Sequence, residues 1–166
     1  RALAAGACGG QEGERVLGTA LGRGALARGI CLAGANPIFV DVNPNTLNLD
    51  TYCLEYVIRR LSREKRAIPK ALVAADLFGL PCNYTAIAEI CARYGIELIE
   101  DCTGALGASQ RGRRAGGFGR FSVLSFGERN PLGELGRDGA VFCRTRGDAL
   151  RIQRARGDAC AQERIG

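Results

Sequence analysis

An α/β fold of three layers, with helices on both faces of a mostly parallel sheet, is what this sequence predicts. Two observations carry that prediction. Short apolar runs alternate with amphipathic stretches along the chain, the order that builds a parallel sheet covered on both sides. Cap and turn residues also punctuate the pattern where such helices must start and stop, as Asp50 and Gly95 do. With 166 residues, 46% of them apolar, the chain is long enough for one sizeable core and a single domain.

Val16 to Ala20 reads as a short strand, and Ala25 to Ala33 as a helix. Pro37-Ile38-Phe39-Val40-Asp41 is a clear strand, after which Asn43-Pro44-Asn45-Thr46 makes a turn. Asp50 opens the next helix, whose apolar positions Leu54, Val57, Ile58 and Leu61 fall at helical spacing. Ala71 to Ala75 is a strand, Tyr84 to Tyr94 a helix, and Gly95 stands where a helix end wants a left-handed residue. Ile96 to Ile99 is a further strand leading into Glu100-Asp101, and another apolar run ends in Ser125-Phe126.

Composition narrows the functional classes. The formal charge of +6 comes almost wholly from arginine, since Lys65 and Lys70 are the only lysines. These arginines are spread along the chain without the aromatic interleaving that base stacking uses, so they read as solvated surface and no nucleic-acid partner is expected. No apolar run approaches the roughly 18 residues needed to span a bilayer, and no signal peptide is visible, so a soluble, cytoplasmic chain is expected. Eight cysteines without a CxxC pair, in a chain without histidine, predict buried reduced thiols and no metal site. The start at Arg1, the lack of any Met and the end at Arg164-Ile165-Gly166 suggest an internal piece of a longer polypeptide.

In a parallel sheet, ligands bind beyond the carboxyl ends of the strands. Asp76, Asp101 and Ser125-Phe126 all fall at such ends and would converge on one rim. An acid there is costly to bury without a cation or hydrogen bonds. A protonated pyridine nitrogen is a suitable partner for Asp101, and a hydroxyl such as Ser125 can hold a phosphate beside the backbone N–H groups of the glycine-rich loop at 127–139. The plainer alternatives are a turn cap for Asp101 and an ordinary strand-end serine for Ser125.

Four stretches in the right order resemble the large domain of the pyridoxal-phosphate-dependent sugar aminotransferases of the DegT/DnrJ/StrS family. They are Leu32 to Val42; Asp76-Leu77-Phe78-Gly79; Ile99-Glu100-Asp101 with Gly112-Arg113-Arg114; and Ser125-Phe126 through Pro131-Leu132-Gly133 to Gly139-Ala140. The tail from Ile152 to Gly166 resembles the next segment of that family's chains. The resemblance implies the large domain of fold-type-I pyridoxal-phosphate enzymes, with residues 1–166 as a partial cofactor-binding domain lacking its N-terminal segment and small C-terminal domain. It also implies pyridoxal 5'-phosphate as cofactor, a homodimer, and a keto-sugar nucleotide and an amino-acid donor as substrates.

By the same resemblance Asp101 matches the aspartate on the pyridine nitrogen and Ser125 the phosphate-binding serine, while Asn130 falls on the Schiff-base lysine. A carboxamide nitrogen is not nucleophilic and cannot shuttle a proton, and neighbouring Arg129 offers donors only. Covalent cofactor binding is therefore not expected, and the chain is read as catalytically inactive. The family's histidine variant is excluded by the lack of histidine. Other pocket positions depart too: Arg23 for the stacking aromatic, Gly104 and Leu106 for a glutamine and a histidine, Arg120 for an aspartate, and Arg137-Asp138 for Asp-Gly. Two functions stay open: an incomplete copy of an aminotransferase, or a non-catalytic pseudoenzyme or partner-binding subunit. An unrelated nucleotide binder is disfavoured, because Gly22-Arg23-Gly24 is too sparse for a dinucleotide fingerprint.

Overall fold

Six strands form the central sheet of the computed structural model, which describes residues 12–22, 24–127, 130 and 139–163, with side chains of the last helix as far as Arg154. The elements run β1 (Arg15–Thr19), α1 (Ala25–Leu32), β2 (Asn36–Val40), α2 (Thr51–Arg63), β3 (Ala71–Ala75), α3 (Tyr84–Tyr94) and β4 (Glu97–Asp101). A 3-10 turn (Cys102–Ala105) comes next, then a small hairpin of β5 (Ser109–Gln110) and β6 (Arg113–Arg114), then β7 (Phe121–Ser125), β8 (Gly139–Cys143) and α4 (Arg146–Glu163). Strand order in the sheet is β2-β1-β3-β4-β7-β8; all neighbours are parallel except the edge strand β8, which runs antiparallel to β7.

The expected strands and helices are present, with ends shifted by at most two residues. Asp50 accepts hydrogen bonds from the N–H groups of Tyr52 and Cys53 and so caps α2, while Asn83 caps α3 and Gly95 ends it at φ 67°. Two apolar clusters fill the layers. On one face Leu17, Leu72, Ala74 and Leu98 of the sheet pack against Leu54 and Ile58 of α2 and Ile87 and Ile90 of α3. On the other, Val16, Val73, Ile99 and Phe121 pack against Leu26 and Ile30 of α1 and Ile152 of α4. β3 is buried along its whole length, as a central parallel strand covered on both faces must be.

Of the described cysteines, Cys82, Cys91 and Cys102 are buried and unpaired, and burial pushes the Cys91 and Cys102 thiols up to about 12. Cys31 differs from the expectation. It lies on the exposed side of α1, because the buried stripe of that helix is Leu26, Gly29 and Ile30. Among the described residues no helix is long and apolar enough to cross a membrane, and no group of three His, Cys, Asp or Glu side chains is placed to hold a metal ion.

Candidate functional site

Parallel register brings the strand ends together. Ala75 lies beside Asp101 in the β3–β4 ladder, and Asp101 beside Val123 in the β4–β7 ladder, so the residues leaving these strands share one rim. A cleft of about 600 Å³ opens there, between the strand ends and the start of α1. Asp76, Asp101, Thr103, Gly104 and Asn130 all line it, with Phe39 and Phe78 among its apolar neighbours.

Asp101 is 4% exposed and caps the 3-10 turn. Its Oδ1 accepts from the Thr103 hydroxyl at 2.6 Å and from the Thr103 N–H at 3.3 Å. The plain reading of Asp101 as a turn cap thus holds together with its place in the cleft. Adjacent residues of a strand point to opposite faces, so Glu100 is directed to the other layer. There it is fully buried and accepts from the N–H groups of Gly116, Phe118 and Gly119 and from the Ser122 hydroxyl. It organises the turn before β7, whereas Asp101 faces the cleft.

Ser125 ends β7 and is not among the cleft-lining residues. Its backbone is tied on both sides: the Ser125 N–H donates to Thr103 Oγ1 at 3.1 Å, and its carbonyl accepts from the Asn130 side-chain amide at 2.8 Å. The Asn130 N–H also donates to the Gly127 carbonyl at 2.8 Å. Asn130 therefore closes the turn out of β7 and forms part of the cleft wall. Its amide makes a bond back to the main chain, as short amide side chains do at turns.

Asp76 contributes to the rim differently from what the strand-end pattern suggests. Its carboxylate accepts from the Cys82 N–H at 2.9 Å and the Tyr84 hydroxyl at 2.7 Å, both on the α3 side, and Oδ2 is buried without a partner. Burial pushes this carboxyl up to about 7. Gly104, where the resemblance implies a glutamine, packs directly on the Asp76 carbonyl oxygen, which a Cβ at that position would strike. The Gly79 N–H donates to the Gly104 carbonyl at 2.8 Å, so the 76–79 and 102–105 segments are held together. Phe78, at φ 55°, is 75% exposed at the cleft.

Arg120, at a position where the resemblance implies an aspartate, bonds Asp148 through two nitrogens and Glu97 through a third, outside the cleft. Lys70 directly precedes β3 and Lys65 comes just after α2, on the side of the sheet away from the rim. Arg23, Arg137 and Asp138 lie outside the described residues, as does most of the glycine-rich loop at 127–139. The residue that sequence reasoning missed is Thr103. Its only sequence signal is the Asp-x-Thr spacing that permits a side-chain bond at a turn.

The cleft presents the Asp101 carboxylate beside apolar side chains, and no amine lines it among the described residues. The model of the DegT/DnrJ/EryC1/StrS aminotransferase family, whose members are pyridoxal-phosphate-dependent, matches residues 2–163. A UDP-2-acetamido-2-deoxy-3-oxo-D-glucuronate aminotransferase of Pseudomonas aeruginosa is 36% identical over 118 residues, covering 71% of this chain and 31% of the relative. An L-glutamine:2-deoxy-scyllo-inosose aminotransferase of Streptoalloteichus tenebrarius is 32% identical over 156 residues, 94% of this chain and 35% of the relative. The crystal structure of a DegT DnrJ EryC1 StrS aminotransferase from Brucella abortus superposes with a TM-score of 0.86 at 33% identity, covering 91% of this chain and 40% of that one. The chain thus spans about a third of the length of the curated relatives it matches.

Proposed function

The chain belongs to the DegT/DnrJ/EryC1/StrS aminotransferase family, and from that premise we propose that it forms a partial large domain that holds pyridoxal 5'-phosphate reversibly and does not itself transfer an amino group. The observation that carries this reading is Asn130. By the family resemblance it falls on the Schiff-base lysine, and its side-chain nitrogen is an amide that donates to the Ser125 carbonyl at 2.8 Å. An amide nitrogen neither attacks an aldehyde nor takes up and returns a proton near neutral pH.

Pyridoxal phosphate, when bound, supplies an electron sink for moving an amino group between donor and acceptor. The residues of this chain would hold it. Asp101, buried and oriented by Thr103, would place a carboxylate against the protonated ring nitrogen. Ser125, at the end of β7, would offer its hydroxyl to the phosphate, with the turn closed by Asn130 fixing the backbone there.

In the same reading the whole protein pairs as a homodimer and its catalytic relatives act on a keto-sugar nucleotide with an amino-acid donor. This chain serves as a non-catalytic, cofactor-binding subunit in that setting. Asn130 also favours the pseudoenzyme reading over an active enzyme, because Lys65 and Lys70 stand away from the rim. The test is to incubate the purified protein with pyridoxal phosphate, reduce with borohydride and measure the intact mass. Reversible binding removed by dialysis, with no adduct in the cleft, is the expected result; a stable adduct mapped to the cleft would overturn the reading.

A further inference from the structure

Resting on the cofactor-site reading above, we propose that Thr103 is a positioning residue for that site: its hydroxyl orients the Asp101 carboxylate and ties it to the strand end that carries Ser125. The direction of each bond is set by chemistry. A backbone N–H can only donate, so Ser125 gives its proton to Thr103 Oγ1, and the threonine's single O–H is then spent on Asp101 Oδ1. The 2.6 Å separation is that of a charge-assisted O–H···O contact.

Because the Thr103 N–H reaches the same carboxylate oxygen, Oδ1 is held by two donors from one residue, and this fixes the plane of the carboxyl group. Threonine suits the task because branching at Cβ leaves χ1 few choices, so the hydroxyl is pre-placed rather than recruited. Thr103 is 7% exposed and lines the cleft, so water competes poorly for either bond. The link joins residues 22 apart in sequence. Through it, the group assigned to the ring nitrogen and the group assigned to the phosphate move as one unit.

Thr103→Val keeps the shape of the side chain and removes both bonds; Thr103→Ser keeps the hydroxyl. The probe is pyridoxamine phosphate, which needs no covalent attachment, titrated into the intact protein. Two quantities are read: its dissociation constant, and the pH at which the absorbance of the bound ring reports loss of the pyridine proton. Thr103→Val weakens binding by about tenfold, the scale of one lost hydrogen bond to a charged group, and moves the bound ring's transition to lower pH. Thr103→Ser stays within about twofold of the parent on the same scale. Amide exchange at Ser125, followed without ligand, speeds up in the valine variant and not in the serine variant, while unchanged protection along the buried strand β3 shows that both variants are folded. Parent protein that binds the probe while Thr103→Val binds and titrates identically overturns the role of Thr103 alone. Parent protein that does not bind the probe overturns the cofactor reading, and the role of Thr103 with it.

Discussion

The Tyr84 hydroxyl donates to Asp76 Oδ1 at 2.7 Å and the Cys82 N–H meets the same oxygen at 2.9 Å, while Asp76 Oδ2 is buried with no partner. A carboxylate solvated on one side only is poorly compensated for leaving water. Burial is the main cause that pushes Asp76 up to about 7, and the nearby Glu100 charge adds to it. The neutral acid is therefore the form that the fold prefers.

This sets the sign of a pH effect. The folded value lies above the ordinary 3.8, so the stabilisation is complete below about pH 4 and is lost as pH rises through 7. The full span is on the order of 4 kcal/mol from the two values. Asp76→Asn keeps the acceptor for Tyr84 and Cys82 and cannot ionise. Urea unfolding at pH 5 and pH 8 is expected to show a smaller difference for Asp76→Asn than for the parent, by roughly 2 kcal/mol or more. Equal differences in the two proteins would show that Asp76 is ionised in the native state throughout.

Gly104 has a second constraint from the same residue. A Cβ there would meet the Asp76 carbonyl oxygen, which is backbone and cannot rotate away. Gly104→Gln, the change that would recreate the family's residue, is expected to cost about 1–3 kcal/mol, as overpacking does, and to lower the thermal midpoint. At this point of the cleft the backbone of Asp76 leaves no room for a side chain on residue 104.

How much of this was legible in the sequence depends on how local each cause is. β3 is five apolar residues in a row, and α3 is bounded by Asn83 and Gly95, so both have the limits read from the chain. The rim position of Asp101 comes from strand order alone, since acids that end parallel strands meet on one edge. The hairpin of β5 and β6 was not legible, because two-residue strands with exposed Arg113 and Arg114 carry no periodicity. Thr103 was hidden for another reason: its value lies in a bond to Ser125, and nothing within its own segment announces that partner. The direction of the Asp76 carboxylate was also hidden, since it depends on Tyr84 reaching back from α3.

Arg120 has a structural role. It joins Glu97 at the start of β4 to Asp148 in the first turn of α4, and the Arg120 bond is the main cause that holds the Asp148 carboxyl below its usual range. Arg120→Asp, which recreates the acid implied by family resemblance, gathers three carboxylates and removes the guanidinium that pairs Glu97 and Asp148. Destabilisation of roughly 2 kcal/mol is expected at pH 7, and part of it should return near pH 4 as the acids are neutralised. Denaturation curves at the two pH values check this; a loss that does not depend on pH would point to packing and away from charge.

Asn130→Lys is the decisive change for the proposed function. In the parent, the side-chain amide bonds the Ser125 carbonyl and the main-chain N–H bonds the Gly127 carbonyl, so the residue serves the turn as well as the cleft wall. A lysine would supply an amine and remove the hydrogen bond from the Asn130 side-chain amide to the Ser125 carbonyl. The resemblance also implies an aromatic residue where the sequence has Arg23, and Gly104 leaves no room for a side chain against the Asp76 carbonyl. Asn130→Lys is therefore expected to leave the borohydride-reduced mass without a cofactor adduct at position 130, and to lower stability by about 1 kcal/mol, the usual worth of one hydrogen bond. An adduct on that lysine would show that the lysine was the only part lost, and that the surrounding pocket is still competent.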